Sequence, residues 1–445
     1  MSGGHLVNMN RKDDKEVKIV NDKSRMIILI VSACVTLSAL AGERRISAVE
    51  YRDRMEAAWL GQMIGVAWGN PVEFHFQGNP VPEDKLPHWT EGLVNDALGQ
   101  DDIYVELTFV RTMEKYGYGV SIRQAGIDFA NSTYGLCHAN HAGRRNLRAG
   151  IAPPASSHPF FNECANDIDY QIEADYSGIL APGLPQAAIS MGEKFGRLMN
   201  YGDGLYGGQF VGALYAAAFF ETDPERIVEA ALKAIPAGSR YAEMVRDVLA
   251  WHRAHPQDFA AVWRLIAGKY RADRGCNQQN LGSGINAVLN GAFVLTGLLY
   301  GEKDIGKTCL YAIRGGWDTD CNASSACGVL CTTLGRKGID ARYTAKLVRT
   351  KKFVCTDYTF DELIVVSEKL ARDVIVANGG RIEKDDGGME WFVLPEKDPD
   401  PSPCVSFYAP GPVEGGRYTQ DEIDQIRFQP FNGTGFQMAK PSVPK

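Results

Sequence analysis

The sequence predicts an all-α protein carrying a short β-hairpin near its C-terminus, and three observations lead there. Apolar residues recur at three- and four-residue spacing behind recognisable helix caps from residue 47 to about 377. Segments 209–220, 284–300 and 321–334 are rich in Ala, Gly and Leu, as helices buried on every side are. No run of alternating apolar and polar residues is found before about residue 380.

The N-terminus stands apart from the helical pattern. Residues 1–25 are polar and basic, with Arg11, Lys12, Lys15, Lys18, Lys23 and Arg25. An apolar run from Met26 to Leu40 follows and ends in Ala39-Leu40-Ala41. A charged flank, a short apolar run and an A-x-A site together predict a secretory signal peptide. The run is shorter than the ~20 residues of a membrane span. An uncleaved anchor is the alternative, as is lipid attachment at Cys34. The expected location is therefore secreted or periplasmic, with membrane contact only through this segment or a lipid.

Helix starts are then signalled in turn. Ser47-x-x-Glu50 has the form of a capping box, followed by an amphipathic stripe of Val49, Met55, Ala58, Trp59, Met63 and Val66. Gly61 and Gly65 on that helix admit a close neighbour. Ser121-x-x-Gln124, Asp223-Pro224-Glu225, His255-Pro256 and Thr359-x-x-Glu362 open further helices. Arg381–Lys384 and Met389–Leu394, separated by Asp385-Asp386-Gly387-Gly388, form the hairpin, and the Pro-rich tail from Pro395 to Pro403 is expected as surface loop. The chain thus divides into an N-terminal extension with signal peptide or anchor (1–41), a helical domain (42–377) and a C-terminal extension (378–445).

Composition narrows the function. The 445 residues are 45% hydrophobic and 23% charged, with a net charge of −7. That excludes a disordered, collagen-like or multi-pass membrane protein. No basic stripe is present to neutralise phosphates, so nucleic acid is not an expected partner. Ten cysteines are scattered without a CxxC pair, so neither a disulfide scaffold nor a zinc site is indicated. A Ser-His-Asp order, a P-loop and a dinucleotide fingerprint are all missing from the sequence.

Two acidic motifs carry the chemistry, each on a glycine-marked turn entering a helix. One is Gly99-Gln100-Asp101-Asp102; the other is Gly315-Gly316-Trp317-Asp318-Thr319-Asp320-Cys321-Asn322. A single Asp at a helix start is ordinarily a cap. Four carboxylates in apolar surroundings would have to be neutralised, by protonation or by a cation. Hard oxygen donors in this number suit Mg²⁺, or Mn²⁺, with two ions sharing the four groups. Capping with surface charge is the other reading of the same residues. Asp167, Asp169, Glu173 and Asp175 read as a solvated helix face or as substrate contacts, and His138 and His141 as loop residues or as groups reaching a cleft. Asn286 and Asn290, four apart on an apolar helix, suit hydrogen bonds inside the core or a role in a cleft. Trp317 offers either a stacking surface for a sugar or base, or an interior aromatic.

Gly65-Val66-Ala67-Trp68-Gly69-Asn70-Pro71-Val72-Glu73-Phe74 resembles the G-D-A-L-G-x-P-x-E-F opening of the ADP-ribosylglycohydrolase family. Gln100-Asp101-Asp102 is similar to that family's T-D-D-T, and Gly315 to Cys321 to its G-G-D-T-D-T, in the same order. The resemblance implies an orthogonal multi-helix bundle around a two-magnesium cleft that releases ADP-ribose from modified side chains. It implies metal contacts at Gln100, Asp101, Asp102, Asp318, Asp320 and Cys321, and catalytic roles for Glu73, Asp102 and Asp318. Three positions depart from the family pattern: Val66 replaces an Asp, Gln100 a Thr, and Cys321 a Thr. A thiol is a poor Mg²⁺ ligand, so the favoured reading of Cys321 from its chemistry is a small packed residue at the helix start. The family's Gly-Asn-Gly-Ala-Ala-Met-Arg loop is not matched. Asp175 to Pro185 stands in its region, with Asp175, Ser177 and Gly178 as expected substrate contacts and Trp317 beside them.

The expected activity is metal-dependent hydrolysis of an N- or O-glycosidic bond in an ADP-ribosyl or related ribosyl substrate, free or attached to protein. A nucleosidase or small-glycoside hydrolase on the same fold is the first alternative. A non-catalytic protein binding ADP-ribose or a sugar is the second. The sequence sets no oligomeric state.

Overall fold

The computed structural model describes residues 42–273 and 285–427. The leader expected over 1–41 and the lipid site at Cys34 lie outside the described residues. Among the described residues, no helix is long and apolar enough to cross a membrane.

The chain is helical, as expected, and one long helix organises it. α1 (Ala48–Gly69) is followed by α2 (Asp101–Tyr116), α3 (Ile122–Ala130), α4 (His138–Arg148) and α5 (Asp175–Ile179). Then come α6 (Pro185–Phe195), α7 (Asp203–Ala218), α8 (Pro224–Leu232), α9 (Arg240–Ala254) and α10 (Phe259–Tyr270). The last group is α11 (Ala287–Tyr300), α12 (Ile305–Arg314), α13 (Thr319–Leu334) and α14 (Phe360–Ala377). Single helical turns, among them Asp169–Ile172, fill some connections.

The caps form largely as the sequence indicates. Ser47 accepts from the Glu50 amide at 3.1 Å, but the Glu50 carboxylate turns to Arg54, so only half of that capping box is made. Thr359 and Glu362 make the complete box on α14, a device worth ~1 kcal/mol. Asp223 caps α8 with Pro224 in its first turn. Pro256 does not open α10; the helix begins at Phe259, where Asp258 accepts from the Ala261 amide at 2.9 Å.

α1 is not a half-buried helix. Val49 is 65% exposed, yet from Ala57 onward every side of the helix is buried. Gly61, Gly65 and Gly69 explain the depth. A Cβ on them would sit 2.6 Å from the Cys327 carbonyl oxygen, 2.1 Å from that of Ala323, and 2.4 Å from the Asp320 Cα. The glycine stripe lets α13 lie directly on the α1 backbone, and so fixes where the Asp318–Cys321 segment stands.

The hairpin gains a third strand that sequence periodicity did not reveal. β1 (Glu43–Ser47) precedes α1 and pairs antiparallel with β3 (Glu390–Pro395), whose other edge takes β2 (Arg381–Lys384). The register sets Arg45 against Val393 and Ile382 against Phe392. Residues 396–427 then run over the helices. The Tyr206 hydroxyl donates to the Pro403 carbonyl (2.7 Å), the Gly416 carbonyl accepts from Ala152, and Arg123 grips Glu422.

Candidate metal centre

The two acidic motifs meet because their helices start side by side. Neither uses its carboxylates as caps. Gln100 is the N-cap of α2 and Asp318 that of α13, and neither side chain bonds the helix amides. That leaves the carboxylates free to face one another, against the simple capping explanation.

Glu73 is brought in by a backbone lock. The Gly316-Trp317 turn has positive φ at both residues (78° and 58°), and Phe74 has φ 52°. The Trp317 amide donates to the Phe76 carbonyl at 2.9 Å, and the Phe74 amide to the Trp317 carbonyl at 2.8 Å. These bonds hold two strained non-glycine residues in place and set Glu73 against Asp318.

The result is two overlapping donor groups. One oxygen each of Asp102 and Asp320 lies with Cys321 Sγ within 4.8 Å of one another. One oxygen each of Glu73, Asp318 and Asp320 does the same. Asp320 belongs to both. Asp102, Asp318, Asp320 and Cys321 are buried, and Glu73 is half-buried. Oδ1 of Asp102, of Asp318 and of Asp320 has no hydrogen-bond partner. Burial pushes all three aspartates well above the usual carboxylate range, and their mutual repulsion adds to it. Burial, then Asp320 and Asp101, raise Glu73 to about 8. No Lys, Arg or His among the described residues forms an ion pair with these acids. Unpartnered, converging carboxylate oxygens fit divalent cations bound through oxygen.

Supporting bonds come from neighbouring helices. The Cys321 thiol donates to Asp102 Oδ2 at 3.4 Å, and burial first, then the surrounding aspartates, raise its pKa. Asn290 Oδ1 accepts from the Asp318 amide (3.4 Å) and from Asn322 Nδ2 (3.0 Å). Asn286 caps α11, so the asparagine pair acts inside the core. Thr319 Oγ1 donates to the Gly69 carbonyl at 2.9 Å. An apolar patch of Ile168, Ile172 and Ile285, with Phe74 at its edge, packs beside Cys321.

Other expected site residues fall elsewhere. Asp101 reaches solvent beside Asp102, and Gln100 is half-exposed; neither belongs to the two tight groups. Trp317 is interior. Its ring is stacked 5.3 Å from Phe293 and 5.9 Å from Trp263, so it offers no face to a substrate. Asp175, Ser177 and Gly178 form no open loop. They lie on the buried α5, where Ser177 Oγ donates to the Ala174 carbonyl. A Cβ on Gly178 would be 2.0 Å from the Gly212 carbonyl oxygen.

The acids at 167–173 are buried too, not a solvated face. Asp169 accepts from the amides of Ala139 and Asn140 (3.2 and 2.8 Å), capping α4, and burial raises it to about 7. Asn140 Nδ2 donates to Glu173. His138 and His141 lie in the first turn of α4 rather than in a loop. His138 has φ 46°, stands 3.8 Å from Asp167, and is lowered to about 4 by burial and by His141. The alternation of these acids with Ile168, Tyr170 and Ile172 was the available signal that the segment is buried.

Comparison with known proteins adds a family. The family model described as ADP-ribosylglycohydrolase matches residues 47–377. A solved structure titled "ADP-ribosylglycohydrolase-related protein complex" is similar at 16% identity and a TM-score of 0.48, over 73% of this chain and 99% of that one. No curated protein matches.

Proposed function

The chain belongs to the ADP-ribosylglycohydrolase family, a family of glycohydrolases, and we propose that it is a metal-dependent member cleaving the N- or O-glycosidic bond of an ADP-ribosyl or related ribosyl substrate. The observation that carries this is the pair of overlapping donor groups sharing Asp320, with three buried oxygens lacking partners. Asp102, Asp318, Asp320 and Glu73 would hold Mg²⁺, with two ions the natural count for two groups, and Mn²⁺ the alternative. Such ions supply charge neutralisation and Lewis-acid polarisation of sugar oxygens.

The chain's own residues divide the remaining work. Glu73 is the half-buried acid of the set and takes the proton of the attacking water at its carboxylate. Asp102 and Asp318 hold negative charge where an oxocarbenium-like sugar develops positive charge. Asp101, open to solvent, and Gln100 meet the incoming substrate at the rim. Cys321 orients Asp102 through its thiol. The proposed exported, oxidising location rests on the signal-peptide pattern read in residues 1–41 and on the disulfide-bonded Cys164.

The deciding experiment uses protein lacking residues 1–41, Mg²⁺ or Mn²⁺, and a panel of ADP-ribosylated peptides, nucleosides and aryl glycosides. Cation-dependent release from an ADP-ribosyl substrate, lost in Asp318→Ala/Asp320→Ala, is expected. Turnover of nucleosides or glycosides alone would move the assignment to a nucleosidase or small-glycoside hydrolase. Binding of ADP-ribose without turnover of any substrate would make the protein a binder. Turnover unchanged in the double variant would sink the metal assignment.

A further inference from the structure

The C-terminal segment encloses a cavity that the proposed reaction does not use. About 430 Å³ of space lies between Cys404–Tyr408 and the starts of α7, α9 and α11, within the ~300–1,000 Å³ of small-molecule sites. The segment holds its own shape over that space. The Tyr206 hydroxyl donates to the Pro403 carbonyl at 2.7 Å and accepts from the Val405 amide at 2.8 Å. Ser406 Oγ accepts from the Tyr408 amide at 3.2 Å, and Asn166 Nδ2 donates to the Tyr408 hydroxyl at 3.5 Å. The family match ends at residue 377, so this side of the cavity is an addition to the shared helical domain.

The chemistry of the lining excludes an anion. Helix-start amides are the usual groups for holding one, and here they are capped from within. Ser239 Oγ accepts from the Ala242 amide at 3.1 Å, and Asp203 Oδ1 from the Tyr241 amide at 2.9 Å. Asn286 Oδ1 accepts from the Val288 and Leu289 amides at 2.9 and 3.3 Å. Arg240 gives Nε and Nη2 to Asp273 (2.9 and 3.3 Å) and Nη1 to Glu243 (2.8 Å). Asp203, Glu243 and Asp273 thus set three carboxylates against one guanidinium in the lining. An ionised carboxylate has about four acceptor sites, so these three retain room for further donors.

The guest that fits brings hydrogen-bond donors and no negative charge. Tyr408 adds a side chain that is 64% exposed at the same cavity. An aromatic face beside acceptors matches a sugar, whose C–H face packs on the ring while its hydroxyls donate. An alkylammonium guest fits less well, because Arg240 and Lys269 already neutralise Glu243 and Asp273. The cavity also borders the metal centre. Asn286, in its lining, stands one helical turn before Asn290, whose Oδ1 accepts from the Asp318 amide.

We propose that this cavity is a second binding site, built by the C-terminal segment on the helical domain, and that it holds an uncharged sugar unit. The site is defined by its own lining and does not rest on the metal reading.

Cys404 gives a direct test. It is an exposed free thiol in the lining, and Cys355 is an exposed free thiol outside it. The full chain, without divalent cation, is alkylated with iodoacetamide while ribose, maltose, cellobiose or diacetylchitobiose is titrated in, and both cysteines are followed by peptide mass spectrometry. A sugar at ~10 times its dissociation constant should slow Cys404 alkylation by ~10-fold and leave Cys355 unchanged. By saturation-transfer NMR, Tyr408→Ala should weaken the same sugar by about tenfold. Gly238→Leu should abolish its signal by filling the cavity, since a Cβ there would meet only Cys404 Sγ, at 3.8 Å. Protection by none of the four sugars, or equal protection of both cysteines, overturns the proposal. Stronger protection by glucose 6-phosphate or by spermidine overturns the sugar assignment. Protection retained in Asp318→Ala/Asp320→Ala supports a site separate from the carboxylate cluster, whereas its loss in that folded variant would put the sugar in the metal cleft. A chain that binds no cation yet protects Cys404 sinks the metal reading and leaves this site standing.

Discussion

Two acidic regions of this molecule obey opposite rules. Around Asp320, carboxylates face carboxylates, lie buried, and leave oxygens without partners. Where the C-terminal segment docks, acids meet bases: Glu422 with Arg123 at 2.5 Å, Glu193 with Arg197 at 2.5 Å, and Asp398 with Lys233 at 2.9 Å. Burial pushes the first group's pKa values up, whereas its guanidinium partner holds Glu422 down at about 2. The docking surface is electrostatically complete as folded. The cluster is neutralised only by added protons or by a cation, and the proposed metal site would supply the cation.

The sharpest way to break this contrast is to remove the cluster's shared ligand. Asp318→Ala/Asp320→Ala should abolish Mn²⁺ binding by calorimetry and cost more turnover than the ~10–100-fold typical of outer-shell changes. Next in size is Asn290→Ala, which leaves the donors in place but removes the acceptor of the Asp318 amide. It should weaken Mn²⁺ by about tenfold, with the far-ultraviolet spectrum unchanged. An unaltered affinity would mean that the Asp318 turn is held by its backbone lock with Phe74 and Phe76 alone.

Stability sharpens the same contrast. A cation at 100 times its dissociation constant should stabilise the fold by ~2.7 kcal/mol, seen as a higher melting temperature that a chelator reverses. Without cation, the cluster's raised pKa values mean that the folded state binds more protons than the unfolded one. Stability is then greatest at low pH and falls as pH rises from about 4, the unfolded value, towards the about 8 of Glu73, by at most ~1.4 kcal/mol per pH unit for each proton. Saturating cation should flatten that slope. Asp320→Asn should raise the metal-free melting temperature while removing the cation's increment, the usual exchange of function for stability. Melting curves across pH, with and without Mn²⁺, would expose a failure of either sign.

What the sequence disclosed follows from how local each signal is. Caps, buried helices and the two acidic turns depend on neighbours within a few residues, so Ser121, Asp223, Thr359 and the Asp318 turn could be read directly. β1 could not, because its five residues become a strand only by pairing with Glu390–Pro395, some 350 residues away. Trp317 could not be placed either: whether an aromatic beside a site faces substrate or core depends on Trp263 and Phe293, which arrive from α10 and α11. Asp175 is the plainest case. An acid before a Gly- and Pro-bearing stretch suggests a surface loop, and only the packing of α5 on α7 reveals it as interior.

The smallest expected effect lies at the docking surface, where its sign matters more than its size. Glu422 also completes a capping box with Thr419, so its carboxylate serves both the one-turn helix Gln420–Ile423 and Arg123. Because the pair is partly exposed, Arg123→Ala should cost less than ~1 kcal/mol of global stability. The same change should nevertheless open the Arg417–Asp424 stretch to proteolysis first, since Arg123 holds both the Glu422 carboxylate and the Arg417 carbonyl. Its pH dependence runs opposite to the cluster's. A depressed folded pKa means docking is fully stabilised above the unfolded value of about 4.3 and loses that contribution as pH falls towards about 2. Protection of the Thr419–Asp424 amides, taken relative to the intrinsic exchange rate at each pH, should therefore fall on acidification, even where the metal-free core is gaining stability. If both regions weakened together as pH fell, the separation between a satisfied and an unsatisfied acidic region would not hold.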